Sequence, residues 1–275
     1  MTDLVVRRLL IDLETPFPGR WNGGDAFRSA FFNALSMSFP AGEQYFIDSV
    51  RAGLKALPEE KRAAMATEVQ GFIGQEATHR RIHALFNGHL DKLGYDNAIE
   101  RWANRRRDAH VSDDLRNKVA ATAATEHFTA IFANWLLHHP EALEGAESRL
   151  QTLWQWHSAE ESEHRNTAFD MYQALGGTHQ WRVRVFKYIT TVFLGDVLRQ
   201  TLLNLWHDGS LLRWRTWRSG WTLLFAKDGM IRSNYGQWRD YLAPDFHPSQ
   251  HAAALAPVWL REHQAQFAVV GQPSA

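Results

Sequence analysis

Hydrophobic residues recur every three or four positions in four long segments of the chain, which is the spacing of a helix with one buried face. The segments cover residues 25–57, 58–93, 112–139 and 142–175. Pro40 interrupts the first segment, so the pattern predicts a kink or a restart near Phe39. Pro58 suits the start of the second helix, and Ser112, Asp113 and Asp114 suit an N-terminal cap for the third.

Four long helices with one longer connection in the middle are typical of a four-helix bundle. The basic stretch 101–107 provides that connection, and strand patterns are nearly absent. The sequence therefore predicts an all-α protein with a bundle over residues 24–178. Residues 1–23 form a lead-in to this bundle, and residues 179–275 form further Trp-rich helices that pack on it.

Composition limits the chemistry that this chain can perform. It has no cysteine, so any metal must be held by His and carboxylate side chains. Its 30 Lys and Arg residues balance 30 Asp and Glu residues, which leaves no basic footprint for nucleic acid. No uncharged apolar run reaches the roughly 18 residues of a membrane-spanning helix, and the charges within residues 1–13 do not fit a signal peptide. We therefore expect a cytoplasmic protein.

Each predicted helix carries one acidic position in an apolar setting, and two of these acids are followed three residues later by His. In chain order they are Glu43, Glu76 with His79, Glu126, and Glu161 with His164. Residues three apart lie about 60° apart around a helix, so each pair can face one ion. Four carboxylates neutralise and bridge two divalent ions, and neutral imidazoles complete the coordination. The pattern predicts a binuclear metal site in which Glu76 and Glu161 are the bridging ligands.

A further His extends the ligand group of the fourth helix. His157 lies four residues before Glu161 on the same face, which makes it a seventh candidate ligand. By the approximate symmetry of such bundles, its counterpart on the second helix is Phe72, so only one metal gains the extra imidazole. His83 lies one turn beyond His79. Hydrogen bonding to a ligand, ligation and plain packing all remain open for His83.

Three neighbouring polar residues fall outside the predicted ligand face. His127 is about 100° from Glu126 around the helix, and it is predicted to be structural. Glu160 and Glu163 are predicted to be ordinary surface acids.

The Glu and His positions resemble the metal ligands of ferritin-like di-iron carboxylate proteins over residues 40–170. That resemblance implies an all-α, ferritin-like four-helix bundle with additional C-terminal helices. It also implies two bound iron ions, or one manganese and one iron. His157, Glu161 and His164 together resemble the histidine-rich site of the arylamine N-oxygenases. This second resemblance implies that the protein activates O2 toward a small organic substrate and receives electrons from a donor.

Nearly the whole chain also resembles a largely uncharacterised bacterial family of predicted metal-dependent hydrolases. Residues 39–43, 74–79, 160–164 and 241–248 carry this resemblance. A binuclear hydrolase usually takes many Asp ligands from loops, whereas Glu and His ligands inside a helical bundle suit iron redox chemistry. We therefore expect a non-haem di-iron oxidoreductase that oxygenates or oxidises a small organic substrate. The alternatives are a binuclear metal-dependent hydrolase and an iron-oxidising or iron-storing protein.

Aromatic and basic residues are concentrated after residue 205. The segment contains Trp206, Arg213, Trp214, Arg215, Trp217, Arg218 and Trp221. It fits either an interfacial membrane helix or a Trp-rich cap over the bundle, which would cover a substrate channel or a homodimer contact. Because Asp196, Asp208 and Asp228 dilute the positive charge, the sequence favours the cap.

Overall fold

Ten α-helices make up most of the residues that the computed structural model describes, which are 4–110 and 114–271. The helices are α1 (Ala26–Ala56), α2 (Glu59–Lys92), α3 (Ala98–Ala109), α4 (Leu115–His138), α5 (Ser148–His164), α6 (Thr167–Ala174), α7 (His179–His207), α8 (Trp214–Phe225), α9 (Met230–Asp240) and α10 (Leu255–Glu262). The antiparallel strands β1 (Arg7–Leu9) and β2 (Phe267–Val269) form a small sheet. The fold is all-α, as the hydrophobic pattern predicts. None of the described helices combines the length and apolar character that a membrane crossing requires.

The interior of the bundle has two hydrophobic clusters with a polar layer between them. α1 packs along α2, α4 packs along α5 and α6, and α7 lies against α1 and α4. One cluster includes Met37 and Ile82, and the other includes Phe46 and Phe72. Along both α1 and α2, the predicted metal ligands come between residues of the two clusters. Apolar packing therefore encloses the polar layer from both ends of these helices.

α1 runs through Pro40 without a break, so the restart that the sequence predicts near Phe39 does not occur. A proline inside a helix leaves the carbonyl four residues earlier without its hydrogen bond, and here that carbonyl belongs to Ser36. Asn87 of α2 supplies the replacement, because its Nδ2 donates to the Ser36 carbonyl at 3.0 Å. A hydrogen bond between two helices thus takes the place of one within α1.

The basic stretch 101–107 is helical, so its prediction as a plain connection is wrong. It belongs to α3, where the Asn97 side chain caps the helix by accepting from the Glu100 N–H. Ile99 is buried, and its N–H donates to the Gln200 side chain of α7 at 2.9 Å. The cap and the contact with Gln200 stabilise α3. The helix is mainly polar, so its small apolar face is hard to recognise in the sequence.

The predicted third helix agrees with α4, whereas the predicted fourth helix differs from the structure. Asp114 caps α4 by accepting from the Arg116 N–H, whereas Ser112 and Asp113 of the predicted cap lie outside the described residues. The predicted fourth helix is divided into α5 and α6, because the chain turns at Arg165 and Asn166. It also starts at residue 148 rather than near 142, since residues 140–143 form a 3-10 turn.

The C-terminal helices only partly cover the bundle. α9 packs on α4, and α10 packs on α5. Three Trp side chains of the aromatic segment remain exposed instead: Trp206 by 72%, Trp214 by 78% and Trp221 by 65%. These three side chains face solvent, and the role of the segment as a cap stays a prediction.

Candidate metal centre

Seven buried His and Glu side chains meet in the centre of the bundle, where α1, α2, α4 and α5 each contribute at least one. They are Glu43, Glu76, His79, Glu126, His157, Glu161 and His164. None exposes more than 3% of its surface. The structure thus brings together all seven residues that the sequence pattern selects.

Four of these residues form one compact group. Ligand atoms of Glu76, His79, Glu161 and His164 all lie within 4.8 Å of one another. Nε2 of His164 is 3.3 Å from Oε1 of Glu76 and 3.8 Å from Oε1 of Glu161. Nδ1 of His79 is 3.4 Å from the same Glu161 oxygen. Glu126 joins this group through His164, whose Nδ1 is 3.0 Å from Oε2 of Glu126.

A second group lies beside the first and contains more His. Ligand atoms of Glu43, His83 and His157 lie within 4.8 Å of one another. Nε2 of His157 is 2.7 Å from Oε1 of Glu161 and 4.0 Å from Oε1 of Glu43. Glu161 therefore faces both groups, which is the arrangement that a bridging carboxylate requires. Phe72, the counterpart of His157, packs edge-on against the ring of His164.

Many ligand atoms of this cluster have no hydrogen-bond partner among the described residues, although they are buried. They are both oxygens of Glu43 and of Glu76, Nδ1 of His79, Oε1 of Glu126, Oε2 of Glu161 and Nε2 of His164. An unpaired buried polar atom is costly, and a buried carboxylate costs more. Two divalent cations would satisfy all of these atoms together, and carboxylates with imidazoles suit iron, manganese or zinc. The residues present therefore fit a binuclear metal centre.

The pKa values in the metal-free cluster show its demand for positive charge. Burial raises the pKa of Glu43 and of Glu76 well above the usual range, and it raises that of Glu126 to about 7. Burial alone would raise the pKa of Glu161 too, but the neighbouring His side chains hold it well below its usual value. These carboxylates need either protons or metal ions to remain buried.

Glu160 is fully buried, so its prediction as a surface acid is wrong. Its Oε2 is 2.9 Å from Nε2 of His79, and its Oε1 accepts from Nη1 of Arg7 at 3.0 Å. Because Nε2 of His79 donates to Glu160, Nδ1 is the nitrogen that faces Glu161, and its lone pair would be open to a metal ion that displaces the proton held in the metal-free protein. Arg7 also donates to Glu163 at 2.7 Å, so this acid is an ion-pair partner of β1. The helical pattern contains no signal for these contacts, since Arg7 lies 153 residues before Glu160.

The segment that carries Arg7 reaches the cluster because two residues of α2 have no side chain. A Cβ on Gly71 would lie 2.6 Å from Cβ of Leu4, and one on Gly74 would lie 2.3 Å from Cγ2 of Val6. Both distances are far below van der Waals contact. Any larger residue at either position would push the N-terminal segment away from α2 and from the acids that Arg7 holds.

His83 is hydrogen-bonded on both sides of its ring. Its Nε2 is 2.6 Å from Nδ1 of His157, and its Nδ1 is 2.9 Å from Oγ of Ser36. Oγ of Ser36 also donates to Oδ1 of Asn87 at 2.8 Å. Among the three alternatives that the sequence leaves open, this geometry favours hydrogen bonding to a candidate ligand.

The order of donors and acceptors in this chain of hydrogen bonds determines where the protons lie. Nδ2 of Asn87 donates to the Ser36 carbonyl, so Oδ1 of Asn87 must accept the Ser36 hydroxyl proton. Nδ1 of His83 must then donate to Ser36, and its Nε2 must accept from Nδ1 of His157. Nε2 of His157 is left with a lone pair 2.7 Å from the Glu161 carboxylate. Two acceptors at this distance require a proton or a metal ion between them.

His127 lies away from both groups and contacts the C-terminal helices. Its Nε2 is 3.0 Å from the carbonyl oxygen of Gln237, and its ring packs against Tyr241 and Phe246. Burial lowers its pKa to about 3, so the ring is neutral at pH 7. These contacts join α4 to the segment around α9.

A family model with the description "predicted metal-dependent hydrolase" matches residues 5–252. The chain belongs to this family. No curated protein and no solved structure shows a significant match. The matched range contains every residue of the two His and Glu groups, together with Arg7 and Glu160 beside them. It ends before α10 and β2.

A cavity of about 470 Å³ lies next to the cluster in this member of the metal-dependent hydrolase family. Its walls come from α1, α3, α4 and α7, and they include Glu43 and Phe39. On α4 the lining residues are Asn117, Ala121, Thr125 and Thr129. The twelve steps along the helix from Asn117 to Thr129 correspond to about 18 Å, so the cavity is elongated. Its volume is in the range of pockets that bind small organic molecules.

A smaller void of about 40 Å³ shares lining residues with both the cavity and the cluster. His157 and Glu161 line this void. Phe39, Thr129 and Phe193 line both the void and the large cavity. The ring of Phe39 also contacts His157, with ring centroids 4.9 Å apart. These three shared residues form the partition between the cavity and the His-rich group.

Proposed function

We propose that this chain is a metal-dependent enzyme with a binuclear centre. In the proposed centre, Glu76, His79, Glu126, Glu161 and His164 hold one ion, and Glu43, His157 and Glu161 hold the other. The proposal rests on the buried ligand atoms that have no hydrogen-bond partner among the described residues. Iron is the metal that we expect, and manganese in one position is the alternative. Bound ions would supply Lewis acidity for hydrolysis or, in the case of iron, electrons for the reduction of O2.

The cavity supports a small and largely apolar substrate. Ile99, Ile189 and Phe193 are among its lining residues, and Glu43 and Phe39 lie where its wall meets the cluster. A molecule held along the apolar wall therefore presents one end to Glu43. The same wall keeps bulk water from the buried carboxylates, which strengthens their electrostatic interactions with the reacting group.

Hydrolysis is the first candidate reaction, because the family to which the chain belongs carries that description. In this reaction the cavity orients the substrate, and the partition of Phe39, Thr129 and Phe193 limits which part of it reaches the cluster. His157 is held with its Nε2 lone pair toward Glu161 by the hydrogen bond to His83. The chain thus contributes positioning and exclusion of bulk water to the reaction.

Oxidation of the substrate with O2 is the second candidate, and the donor set favours it. All seven proposed ligands are Glu or His on helices of one bundle, with no Asp among them. This set is the one that helical bundles use for iron and manganese redox centres. The additional imidazole of His157 also makes this ligand set different from that of a protein that only stores iron.

Metal content and reactivity under controlled oxygen test the proposal. We expect purified protein to contain about two metal ions per chain, measured by inductively coupled plasma mass spectrometry. Zinc-loaded protein that hydrolyses aryl esters without oxygen would support hydrolysis. Iron-loaded protein that consumes O2 only after reduction, and hydrolyses nothing, would support the second candidate. A single structural zinc, or no metal after loading, would overturn the binuclear centre.

A matched pair of variants compares the effect on metal content of removing a buried acid with that of removing a surface acid. We expect Glu76→Ala to lose about one of the two ions, because both of its oxygens lack partners in the described protein and it belongs only to the first group. Glu144→Ala removes an exposed acid and should leave metal content unchanged. Equal metal content in the two variants would show that the buried acids do not hold the ions.

A further inference from the structure

α8 presents an aromatic face to solvent, far from the candidate metal centre along the chain. Trp214 is 78% exposed, Trp221 65% and Phe225 43%, and the preceding Leu212 is 92% exposed. Large apolar side chains are rarely so exposed in a group, and such patches usually mark an interaction surface. We call these four residues, with Arg213, Arg215, Arg218 and Lys227, the α8 patch.

The packing of α8 explains why this face points outward. Thr216, Gly220 and Leu223 are on its buried side. A Cβ on Gly220 would lie 2.6 Å from the ring of Phe27, so this glycine permits close packing on α1. Trp214 and Trp221 lie seven residues apart on the opposite side, one above the other. α8 is thus fixed to the bundle through one side, and its aromatic side has a defined orientation.

The charge of this segment differs from that of the whole protein. Residues 209–227 contain Arg213, Arg215, Arg218 and Lys227 and no Asp or Glu, whereas the full chain has a net charge of zero. Within the described part of the chain, neither Arg215 nor Arg218 has a carboxylate within 4.0 Å. These cations are therefore available for an external anion.

We propose that the α8 patch docks this protein on an anionic lipid surface. Trp214, Trp221 and Phe225 enter the headgroup region, and the four cations contact lipid phosphates or carboxylates. A helix of twelve residues with aromatic side chains on one face and basic residues beside them lies in the plane of such an interface. The attraction comes from both apolar burial and the negative surface potential of the membrane.

Charge complementarity favours lipid over a second copy of this chain. In a two-fold contact the same patch meets itself, which would bring four cations of one copy against four of the other. An anionic bilayer instead provides opposite charge over the whole surface. The proposal is independent of the reaction at the metal centre.

Vesicle binding by the full chain tests the proposal. We expect the protein to co-sediment with vesicles of phosphatidylcholine that contain about a third phosphatidylserine, and to bind pure phosphatidylcholine at least about tenfold more weakly. Raising the salt concentration to 0.5 M should weaken binding, because it screens the cations. Equal binding to the two vesicle types, or no binding to either, would overturn the proposal.

Two matched pairs of double variants locate the contact. Trp214→Ala with Trp221→Ala should reduce vesicle binding by at least about tenfold. Trp181→Ala with Tyr188→Ala removes two exposed aromatic residues of α7 with the same spacing, and it should leave binding unchanged. Arg215→Glu with Arg218→Glu should abolish binding, whereas Arg51→Glu with Arg105→Glu makes the same change in total charge elsewhere and should retain it.

Folding and self-association are checked on the same samples. Circular dichroism should show unchanged helix content in all four double variants, since the altered side chains are exposed. Analytical ultracentrifugation measures the oligomeric state without lipid. A dimer that the Trp214 and Trp221 changes dissociate, in a protein that binds no vesicles, would assign the α8 patch to self-association and overturn the proposal.

Discussion

The two His and Glu groups of the candidate metal centre occupy related positions in the bundle but have different surroundings. In the first group, Phe72 covers the ring of His164 from the side. In the second group, the position that corresponds to Phe72 is His157, and hydrogen bonds connect it through His83 to α1. At this pair of related positions, the first group thus has an apolar packing contact, whereas the second has a directed polar contact.

This difference would give the two proposed metal positions different tasks. The second group borders the cavity through Glu43 and Phe39, and its orienting hydrogen bonds begin at the helix defect made by Pro40. The first group is supported by Glu160 and Arg7 on the side of the N-terminal strand. Under the proposed function, the His-rich group would therefore contact the substrate, and the other group would mainly support it.

Removing Glu161, the acid that faces both groups, should have the largest effect on metal content. Glu161 faces both groups, so we expect Glu161→Ala to lose nearly all of both ions. Glu43→Ala should lose about one ion, because Glu43 belongs only to the second group. Metal analysis after gel filtration measures both. Retention of one full equivalent by Glu161→Ala would show that the two positions do not share this carboxylate.

Truncating Phe72 and His157, which occupy related positions, should distinguish a residue that packs from a residue that binds metal. We expect Phe72→Ala to lower the free energy of unfolding by about 3–5 kcal/mol through a buried cavity, while both ions are retained. His157→Ala should fold normally and keep near-normal metal content in metal excess. It should release one of its two ions to a chelator at least about tenfold more readily than wild type. If both variants released metal at the same rate, the difference between Phe72 and His157 would have no effect on metal binding.

The pH dependence of stability should distinguish metal-free from metal-loaded protein. Burial alone would lower the pKa of His79, but Glu160 and Glu161 raise it to about 10. The pKa values of Glu43 and Glu76 are also well above the unfolded value. Above pH 6.5 the folded metal-free protein therefore holds protons that the unfolded chain has lost. Its stability should fall as pH rises toward 9, by about 1.4 kcal/mol per pH unit for each such proton.

Metal ions replace these protons, so the loaded protein should lack this decline. Urea unfolding at several pH values, with and without a chelator, measures both cases. A metal-free protein whose stability stays level from pH 6.5 to 9 would contradict the burial of these groups in the protonated form.

The smallest effect should come from the hydrogen bonds behind His83. Ser36→Ala removes the acceptor of the His83 Nδ1 proton, so we expect about tenfold weaker retention of the ion next to His157. Ser49→Ala is the control, because Ser49 is another buried serine of α1, with a 2.6 Å hydrogen bond to Thr122. Both variants should lose about 1 kcal/mol of stability. Only Ser36→Ala should change metal release, and equal release would remove the role assigned to His83.

Local periodicity is sufficient to predict four long helical segments and to select the residues that meet in their centre. The spacing within one helix determines which side chains share a face, and the four helices with these faces must pack them inward. The supporting contacts could not be predicted in this way. Glu160 is not a surface acid, because a strand far away in the chain covers it, and no helical pattern indicates that Arg7 lies there.

Two other differences have physical causes of the same kind. Pro40 breaks helices in general, but here Asn87 from another helix satisfies the free carbonyl of Ser36. Trp side chains are usually buried, yet Trp214 and Trp221 are held outward because Gly220 packs against Phe27 on the opposite side. In both cases, a contact between distant segments overrides the local preference.

The small sheet joins two strands that are far apart in the sequence. β1 pairs with β2 through Arg7 and Val269, which are about 260 residues apart. A strand of three residues has little stability of its own, so β1 depends on a pairing that can form only after residue 269 has been synthesised. Arg7 is fixed beside Glu160, and Glu160 is hydrogen-bonded to His79. One imidazole of the candidate centre thus depends, through Glu160 and Arg7, on a strand whose partner is among the last of the described residues to be made.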